Sequence, residues 1–248
     1  MQTTLSWQSQ ENLSQGLMRS EPIIFLPGMM CDARLFAPQI DSLSHERAVM
    51  VAPVHLGERI EEIASMVLDT APHRFALCGL SFGGIVAMEI IRRAPDRVSR
   101  ICLMSTNPTS ETPERAAERE PQIIAAQTGC LEYIMRQEVV CNYLAETPLK
   151  PHVLELIVDM ALSLGSEAFV RQSRALQKRR DQQSLLCNIK CPTLVLCGAE
   201  DQITLPKRHE FMAELIEPAE LVVIQNAGHL PTLEQPEATT AALRAWLG

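Results

Sequence analysis

One serine of this sequence stands in a context that favours nucleophilic chemistry. Ser81 belongs to the run GLSFGG at positions 79–84, which follows an apolar stretch directly and opens a helical pattern that extends to Arg93. A tight turn between strand and helix exposes the hydroxyl, and glycines at positions 79 and 83 remove Cβ atoms that would otherwise collide. The start of the helix adds backbone N–H groups and a partial positive charge. We therefore predict that Ser81 is a nucleophile; the alternative is a chance match in a glycine-bearing loop.

An acylated serine also needs donors for a developing oxyanion, and two backbone amides are candidates. The run LPGMM at positions 26–30 ends the first apolar stretch, and its glycine lets the backbone approach a bound carbonyl. We expect the N–H groups of Met29 and Phe82 to stabilise the oxyanion together. An ordinary turn at the end of a strand is the alternative. The side chains of Met29 and Met30 are candidates for lining the substrate pocket, although methionine is more often a core residue.

Six histidines compete for the role of the base that takes the proton of Ser81. His229 alone follows the last predicted strand and precedes the final helix, so that it can project across the sheet edge toward the serine. His152 lies in a helical interval and is a candidate for contact with substrate. The others stand at polar helix ends or in loops and are interpreted as surface residues: His45, His55, His73 and His209.

The acid that orients this base should leave the strand preceding it. The run GAED at positions 198–201 stands there; Asp201 fits best, and Glu200 is its rival. Asp201 would accept the imidazole N–H, fix the tautomer of His229 and stabilise the imidazolium that forms when Ser81 loses its proton. The strand that ends at Met104 offers no carboxylate, because the chain continues there as STN.

Short apolar runs alternate with helical patterns along most of the chain. The runs are continuous rather than alternating, as expected for strands that are covered on both faces of a parallel sheet. The predicted strands are residues 23–26, 49–52, 75–78, 101–104, 194–197 and 221–224. The predicted helices are residues 34–43, 59–68, 83–93, 207–216 and 237–246. The predicted fold class is therefore α/β, with a doubly wound, mostly parallel sheet.

The interval 105–188 interrupts this alternation. It contains no convincing strand and shows amphipathic helical patterns instead, at residues 131–143, 151–164 and 169–186,. We expect residues 1–104 and 189–248 to form the core and residues 105–188 to form a helical lid. A basic cluster in this interval is interpreted as a solvated helix face, with a site for an anionic ligand as the alternative; it comprises Arg171, Arg174, Lys178, Arg179 and Arg180,.

The composition is that of a globular protein, with 46% hydrophobic and 21% charged residues among 248,. The formal net charge of −8 argues against nucleic acid or anionic membrane as partners, because both require clustered basic residues,. Residues 1–20 lack the basic start and apolar stretch of a secretory signal, and no run of about 18 apolar residues occurs. We predict a cytoplasmic protein that acts on a small molecule; the oligomeric state stays open.

The eight cysteines form no C-x-x-C pair and show no His/Cys spacing typical of a metal site,. Most are predicted to be small buried residues in a reducing compartment. The sequence thus predicts no metal site and no disulfide framework.

Taken together, these segments resemble the α/β-hydrolase superfamily, especially its small lidded serine esterases. The matching runs are LPGM at 26–29, GLSFGG at 79–84, GAED at 198–201, GH at 228–229 and LEQPE at 233–237, and the resemblance extends from Pro22 to the end. The order Ser, Asp, His along the chain also matches. Two features differ: many members have His where Pro27 stands, and the leader is short for their opening strand pair. The resemblance implies acylation of Ser81 and deacylation by water, without metal or organic cofactor.

The predicted function is hydrolysis of a carboxylic ester or thioester of a small, largely apolar substrate, as in carboxylesterases. Relatives use the same triad for carbon–carbon bond hydrolysis or lyase steps, so fold and triad alone leave these alternatives open. A third alternative is a ligand receptor that retains the hydrolase fold. Serine at position 81 argues against dehalogenase and epoxide hydrolase chemistry, which needs an aspartate nucleophile.

Overall fold

A six-stranded parallel sheet forms the centre of the computed structural model, which describes residues 21–217 and 219–248. Its strands follow the order β2-β1-β3-β4-β5-β6, and every neighbouring pair is parallel. The strands are β1 Ile23–Leu26, β2 Val49–Val51, β3 Phe75–Leu80, β4 Val98–Met104, β5 Thr193–Gly198 and β6 Ala219–Ile224. The prediction of an α/β fold with a parallel sheet is confirmed. The continuous apolar runs have the expected cause, since β1, β3 and β5 are buried along their whole length,.

Helical segments connect each strand to the next one along the chain, and most of the α-helices begin with proline or an acidic first turn. The α-helices are α1 Ala37–Leu43, α2 Ile60–Thr70, α3 Phe82–Arg93, α4 Pro113–Gln127, α5 Leu131–Ile134, α6 Lys150–Leu164, α7 Ser166–Gln177, α8 Gln183–Leu186, α9 Pro206–Leu215, α10 Pro231–Glu234 and α11 Pro236–Leu247. Short 3-10 turns cover Ala33–Phe36 and Pro95–Arg97, and a π-helical turn covers Met135–Val139.

Between β4 and β5 the described chain forms helices only, namely α4 to α8. Three details differ from the sequence prediction. The helix predicted at 131–143 becomes the single turn α5 followed by the π-helical turn, and the helix predicted at 169–186 is divided into α7 and α8. The third is α4, which the sequence analysis did not single out and which contains Pro121 in its interior,. The assignment of residues 105–188 as a lid stays a prediction.

Four of the eight cysteines are buried, namely Cys31, Cys78, Cys102 and Cys197, so the prediction that most of them are buried is wrong. Cys130, Cys141 and Cys187 are exposed in the insertion and its end, and Cys191 is intermediate. Across the described ranges, no helix combines the length and apolar character needed to cross a bilayer. The polar leader at 1–20, on which the signal-peptide prediction rests, lies outside the described residues.

The sheet brings the predicted site residues to one edge. Because all six strands are parallel, their carboxyl ends lie together, and the turns that follow them form a shared surface,. Leu26 at the end of β1 pairs with Gly79 of β3, and Gly198 at the end of β5 pairs with Ile224 of β6. The runs LPGMM, GLSFGG and GAED and the loop before His229 all leave the sheet at this edge.

Candidate active site

Ser81 lies on the turn between β3 and α3 in a conformation that few residues adopt, with φ 54° and ψ −111°,. A Cβ atom at Gly83 would lie 1.9 Å from the carbonyl oxygen of Leu26, and one at Gly79 would lie 2.3 Å from the carbonyl oxygen of Gly83. Both obstacles are backbone atoms, so no side chain fits without moving strand or helix. The two glycines therefore allow β1, β3 and α3 to meet behind the serine, as the sequence pattern predicts.

A continuous chain of hydrogen bonds joins Ser81, His229 and Asp201. The distance from Ser81 Oγ to His229 Nε2 is 2.9 Å, and that from His229 Nδ1 to Asp201 Oδ2 is 2.9 Å. Since a carboxylate only accepts, the imidazole proton lies on Nδ1, and Nε2 is left to accept the serine hydroxyl. This is the arrangement in which an imidazole can remove a proton from a serine.

Asp201 is fully buried, and its hydrogen-bond donors stabilise the ionised form. Its Oδ1 accepts the N–H groups of Ile203 and Thr204, both at 2.9 Å, and its Oδ2 accepts the Thr204 hydroxyl at 2.8 Å. Burial alone would raise the pKa of Asp201, but the electrostatic interaction with His229 and these hydrogen bonds outweigh it and lower the pKa,. Glu200, the rival acid, is exposed, and among the contacts of the described residues its side chain forms no hydrogen bond with His229.

The turn after β1 lies directly against the serine. A Cβ atom on Gly28 would be 3.7 Å from Ser81 Cβ, which is an ordinary contact distance. Met29 and Phe82 line the same cavity as Ser81. Among the residues that the structure describes, no hydrogen bond uses the backbone N–H of either one. The two amides predicted to bind an oxyanion thus remain available for an acceptor in the cavity.

A buried glutamine of α7 fixes this turn from the side of the insertion. Met30 has a positive φ of 57°, and its backbone N–H donates to Gln172 Oε1 at 2.9 Å. Gln172 Nε2 donates in turn to the carbonyl of Val54 at 3.3 Å. The Met30 side chain is fully buried and does not line the cavity, so the structure corrects its assignment to the substrate pocket. It is a core residue, as methionines commonly are.

A buried carboxylate holds the loop that carries His229. Glu234 is 2% exposed and accepts three backbone N–H groups, those of Gly228, Leu230 and Ala145, at 2.8 to 2.9 Å. Two of these donors flank His229 in sequence, and the third belongs to the insertion. Burial raises the pKa of Glu234, against the opposing effect of the three N–H donors. Glu234 therefore positions the base, a role that sequence reasoning missed.

The insertion also touches His229 itself. The backbone N–H of His229 donates to the carbonyl oxygen of Tyr143 at 2.6 Å, and the two rings lie 4.8 Å apart at an angle of 59°. Burial raises the pKa of the Tyr143 phenol, so that this side chain is neutral beside the imidazole,.

A second buried histidine supports the serine from behind. His209 is fully buried, whereas the sequence context predicted a surface residue, and this prediction is wrong. Its Nε2 accepts the backbone N–H of Thr106 at 3.1 Å, and its Nδ1 faces the carbonyl oxygen of Leu205 at 3.3 Å. The Thr106 hydroxyl donates to the carbonyl oxygen of Ser81 at 2.8 Å. Burial lowers the pKa of His209 to about 4, so the ring is neutral at pH 7.

We expect His209 to make the folded state sensitive to acid. Its pKa is about 4 when folded and about 6.5 when unfolded, so only the unfolded chain gains its proton as the pH falls between these values,. The free energy of unfolding should fall over this range by about 3 kcal/mol from this group alone. Urea unfolding at pH 7 and pH 4.5 would measure this loss in the wild type and in His209→Gln, which cannot titrate.

The loss on acidification should be smaller in His209→Gln than in the wild type. His45→Gln, at an exposed histidine, serves as the matched control and should keep the full loss. An equal loss in all three proteins would show that His209 does not contribute.

Ser81 opens onto a cavity of about 490 Å³, a size that suits a small-molecule substrate,. Its lining is divided between apolar and charged side chains. The apolar members are Met29, Phe82, Ile85, Val139, Tyr143, Leu176 and Ile203. The charged members are Glu111, Arg115, Glu118, Arg119, Glu138 and Arg179. The sequence analysis predicted a largely apolar substrate, and the lining of this cavity is less apolar than such a substrate would require.

The structure does not support the prediction for His152 and agrees with most of the prediction for the basic cluster. His152 is exposed near the start of α6 and does not line the cavity, so the structure does not support its assignment as a substrate contact. The basic cluster agrees with a solvated helix face at four of its five positions, where ion pairs form with Glu167, Glu120, Glu58 and Glu61. Arg179 is the exception, since it lines the cavity.

No group of three or more His, Cys, Asp or Glu side chains within residues 21–217 and 219–248 is arranged to hold a metal ion.

The fold and the site correspond to a known protein family. Residues 23–243 match the model of the alpha/beta hydrolase family, and the chain belongs to that family. Its overall structure is the α/β-hydrolase fold: the esterase of Thermogutta terrifontis, solved with malate bound, superposes with a TM-score of 0.84 and 30% identity over 92% of this chain and 89% of its own. The enol-lactonase of Burkholderia xenovorans LB400 reaches a TM-score of 0.81 and 25% identity over 92% of both chains.

Curated relatives include esterases as well. The pimeloyl-[acyl-carrier protein] methyl ester esterase of Neisseria meningitidis is 27% identical over 213 residues, which cover 83% of this chain and 80% of that protein. The chain is thus an α/β hydrolase whose distant relatives include esterases and a lactonase.

Proposed function

We propose that the chain is a serine hydrolase that cleaves a carboxylic ester or thioester of a small substrate through an acyl-enzyme intermediate. The observation that carries this proposal is the hydrogen-bonded chain from Ser81 Oγ through His229 to Asp201, which opens onto a cavity of about 490 Å³. The esterase and lactonase relatives support the same reaction class, because a lactone is a cyclic ester.

The proposed reaction begins with attack of Ser81 Oγ on the carbonyl carbon of the ester. The hydroxyl proton passes to His229 Nε2, and Asp201 stabilises the resulting imidazolium. The N–H groups of Met29 and Phe82 donate to the oxyanion of the tetrahedral intermediate. As the intermediate collapses, His229 returns the proton to the leaving alcohol or thiol, and Ser81 keeps the acyl group. A water molecule, activated by the same imidazole, then releases the acid and restores the serine hydroxyl.

The surroundings of the triad favour this chemistry over simple ligand binding. Asp201 is held ionised by its hydrogen bonds, so that the tautomer of His229 is fixed before substrate arrives. The strained backbone of Ser81 is braced by Thr106 and by the glycines around it. A binding protein has no need of such alignment, whereas a nucleophile does.

Covalent labelling tests the proposal directly. The folded protein is incubated with a fluorophosphonate probe, and the modified peptide is identified by mass spectrometry; a heat-unfolded sample is the control. In parallel, p-nitrophenyl esters from acetate to octanoate are assayed together with a simple lactone. We expect one probe molecule per chain, attached to Ser81, and turnover of at least the shorter esters.

Absence of labelling would contradict the proposal, because an aligned serine should react. Labelling of Ser81 without turnover of any ester or lactone would contradict the esterase activity while keeping the nucleophile. The carbon–carbon hydrolase, lyase and receptor alternatives would then be the ones to examine.

A further inference from the structure

A second cavity adjoins the Ser81 cavity and carries an excess of positive charge. Its volume is about 440 Å³. The two cavities share a wall, made by Asn107, Glu111, Arg115, Arg179, Ile203 and Thr204. Lys207 and Arg208, in the first turn of α9, complete the basic lining of the second cavity. Four cationic side chains thus face this space, against the single carboxylate of Glu111.

That carboxylate is already neutralised from another direction. Glu111 has a side chain only 2% exposed, and it forms an ion pair with Arg119 at 3.2 Å. None of the ion pairs of the described residues includes Arg115, Arg179, Lys207 or Arg208. Their charges are therefore left for an anion that enters from solvent.

Among the described residues, Arg179 differs from the other three in having a buried donor atom without a partner. Its Nε atom is buried and has no hydrogen-bond partner within the described chain. Burial removes water from this donor, and no acceptor of the described residues replaces that water, which is unfavourable. Burial lowers the pKa of Arg179; Glu111 and Asp181 oppose this effect, and the nearby charges of Arg119 and Arg115 add to it. An anionic ligand would relieve both the missing hydrogen bond and the repulsion between these arginines.

We propose that Arg179 and the basic cavity around it bind a carboxylate carried by the substrate whose ester group lies at Ser81. The inference rests on the proposed function and specifies its substrate as a half-ester of a dicarboxylic acid. Guanidinium groups match carboxylates because two parallel N–H donors meet two oxygens. The methylene chain between the two ends would contact apolar residues of the Ser81 cavity, such as Ile85 and Leu176.

A pair of substrates with equal acyl length isolates the effect of the carboxylate. We would compare kcat/KM for mono-p-nitrophenyl adipate and p-nitrophenyl hexanoate in the wild type, in Arg179→Gln and in Arg180→Gln. Arg180 is the matched control, because it is paired with Glu61 and lies outside both cavities. We expect Arg179→Gln to reduce kcat/KM about 10- to 100-fold more for the adipate half-ester than for the hexanoate. The ratio of kcat/KM for the two substrates should be the same in Arg180→Gln as in the wild type.

An equal reduction for both substrates in Arg179→Gln would overturn the inference, since Arg179 would then act on the fold rather than on the carboxylate. Equal use of both substrates by the wild type would overturn it as well. If the hexanoate is cleaved in either case, the proposed esterase function stands.

A binding measurement covers the case in which neither ester is cleaved. Calorimetric titration measures the Kd of adipate for the Ser81→Ala protein and for two double variants. This Kd should be at least 10-fold higher in the variant that combines Ser81→Ala with Arg179→Gln, and unchanged in the variant that combines Ser81→Ala with Arg180→Gln. No adipate binding would overturn the inference. Inorganic phosphate is the second probe, and tighter binding of phosphate than of adipate would assign the cavity to a phosphoryl group and overturn the carboxylate assignment.

Discussion

Ser81→Ala is expected to lower kcat for p-nitrophenyl ester hydrolysis by about 10⁶-fold, because losses of this order follow when the nucleophile of an aligned triad is removed. The backbone of the turn should persist, since Ala tolerates the same φ and ψ as Ser. His229 would keep its hydrogen bonds to Asp201 but would have no hydroxyl to deprotonate. Steady-state assays at substrate saturation measure the effect, and circular dichroism checks that the variant is folded.

Ser105→Ala provides the matched control for the loss of one buried hydroxyl near the site. Ser105 follows β4, is fully buried, has a positive φ of 44°, and its hydroxyl has no partner among the described residues. Its removal should change kcat only a few-fold. If Ser81→Ala retained more than a few per cent of the activity, another residue would have to be the nucleophile.

Asp201→Asn is expected to reduce kcat by about 10⁴-fold while leaving the fold intact. The amide oxygen of Asn can still accept the N–H groups of Ile203 and Thr204, as Oδ1 does now. Its NH₂ group would then face His229 Nδ1, which must accept and therefore give up its proton to Nε2. In that tautomer Nε2 donates toward Ser81 and cannot act as its base. The same saturating assay measures the loss.

Glu200→Gln decides between the two carboxylates of the GAED run. Glu200 is exposed, so its substitution should leave kcat within a few-fold of the wild type. A large loss in Glu200→Gln together with near-normal turnover in Asp201→Asn would reverse the assignment of the acid.

The parts of the site that the sequence predicts are those with a local physical cause. The spacing of Gly79 and Gly83 is required by backbone atoms within 2.3 Å of their missing Cβ atoms, so this turn leaves a clear trace in the sequence. The strands were equally readable, because central strands of a parallel sheet are apolar at every position. Asp201 and His229 followed from their places after β5 and β6.

The residues that were missed act across large sequence separations. Gln172 binds a backbone amide 142 positions away, and Glu234 binds Ala145 across 89 positions, so these two contacts leave no local pattern. His209 could have been found, since it shares one face of α9 with the buried Met212; its polar neighbours suggested a surface residue instead,. Arg179 differs from its basic neighbours only in what the fold places opposite it.

Helices of the insertion were predicted less well for a related reason. A proline inside a helical pattern favours a break, yet α4 continues through Pro121 because the surrounding helices α5 and α7 pack against it,. The helix predicted over 169–186 ends at Gln177 instead, where its polar and basic residues offer no further apolar face. Tertiary packing thus overrides local preference in α4, whereas the loss of an apolar face ends α7.

The hydrogen bonds of Glu234 connect the loop that carries His229 to the insertion. If residues 143–145 moved away from the core, Glu234 would lose one of its three donors and His229 would lose the carbonyl of Tyr143. Each hydrogen bond to a buried carboxylate contributes about 1.5–3 kcal/mol, so such a movement is strongly opposed. A displacement that did reach Ala145 would remove a hydrogen bond from the residue that holds the loop of His229, and would therefore disturb the alignment of the proposed base with Ser81.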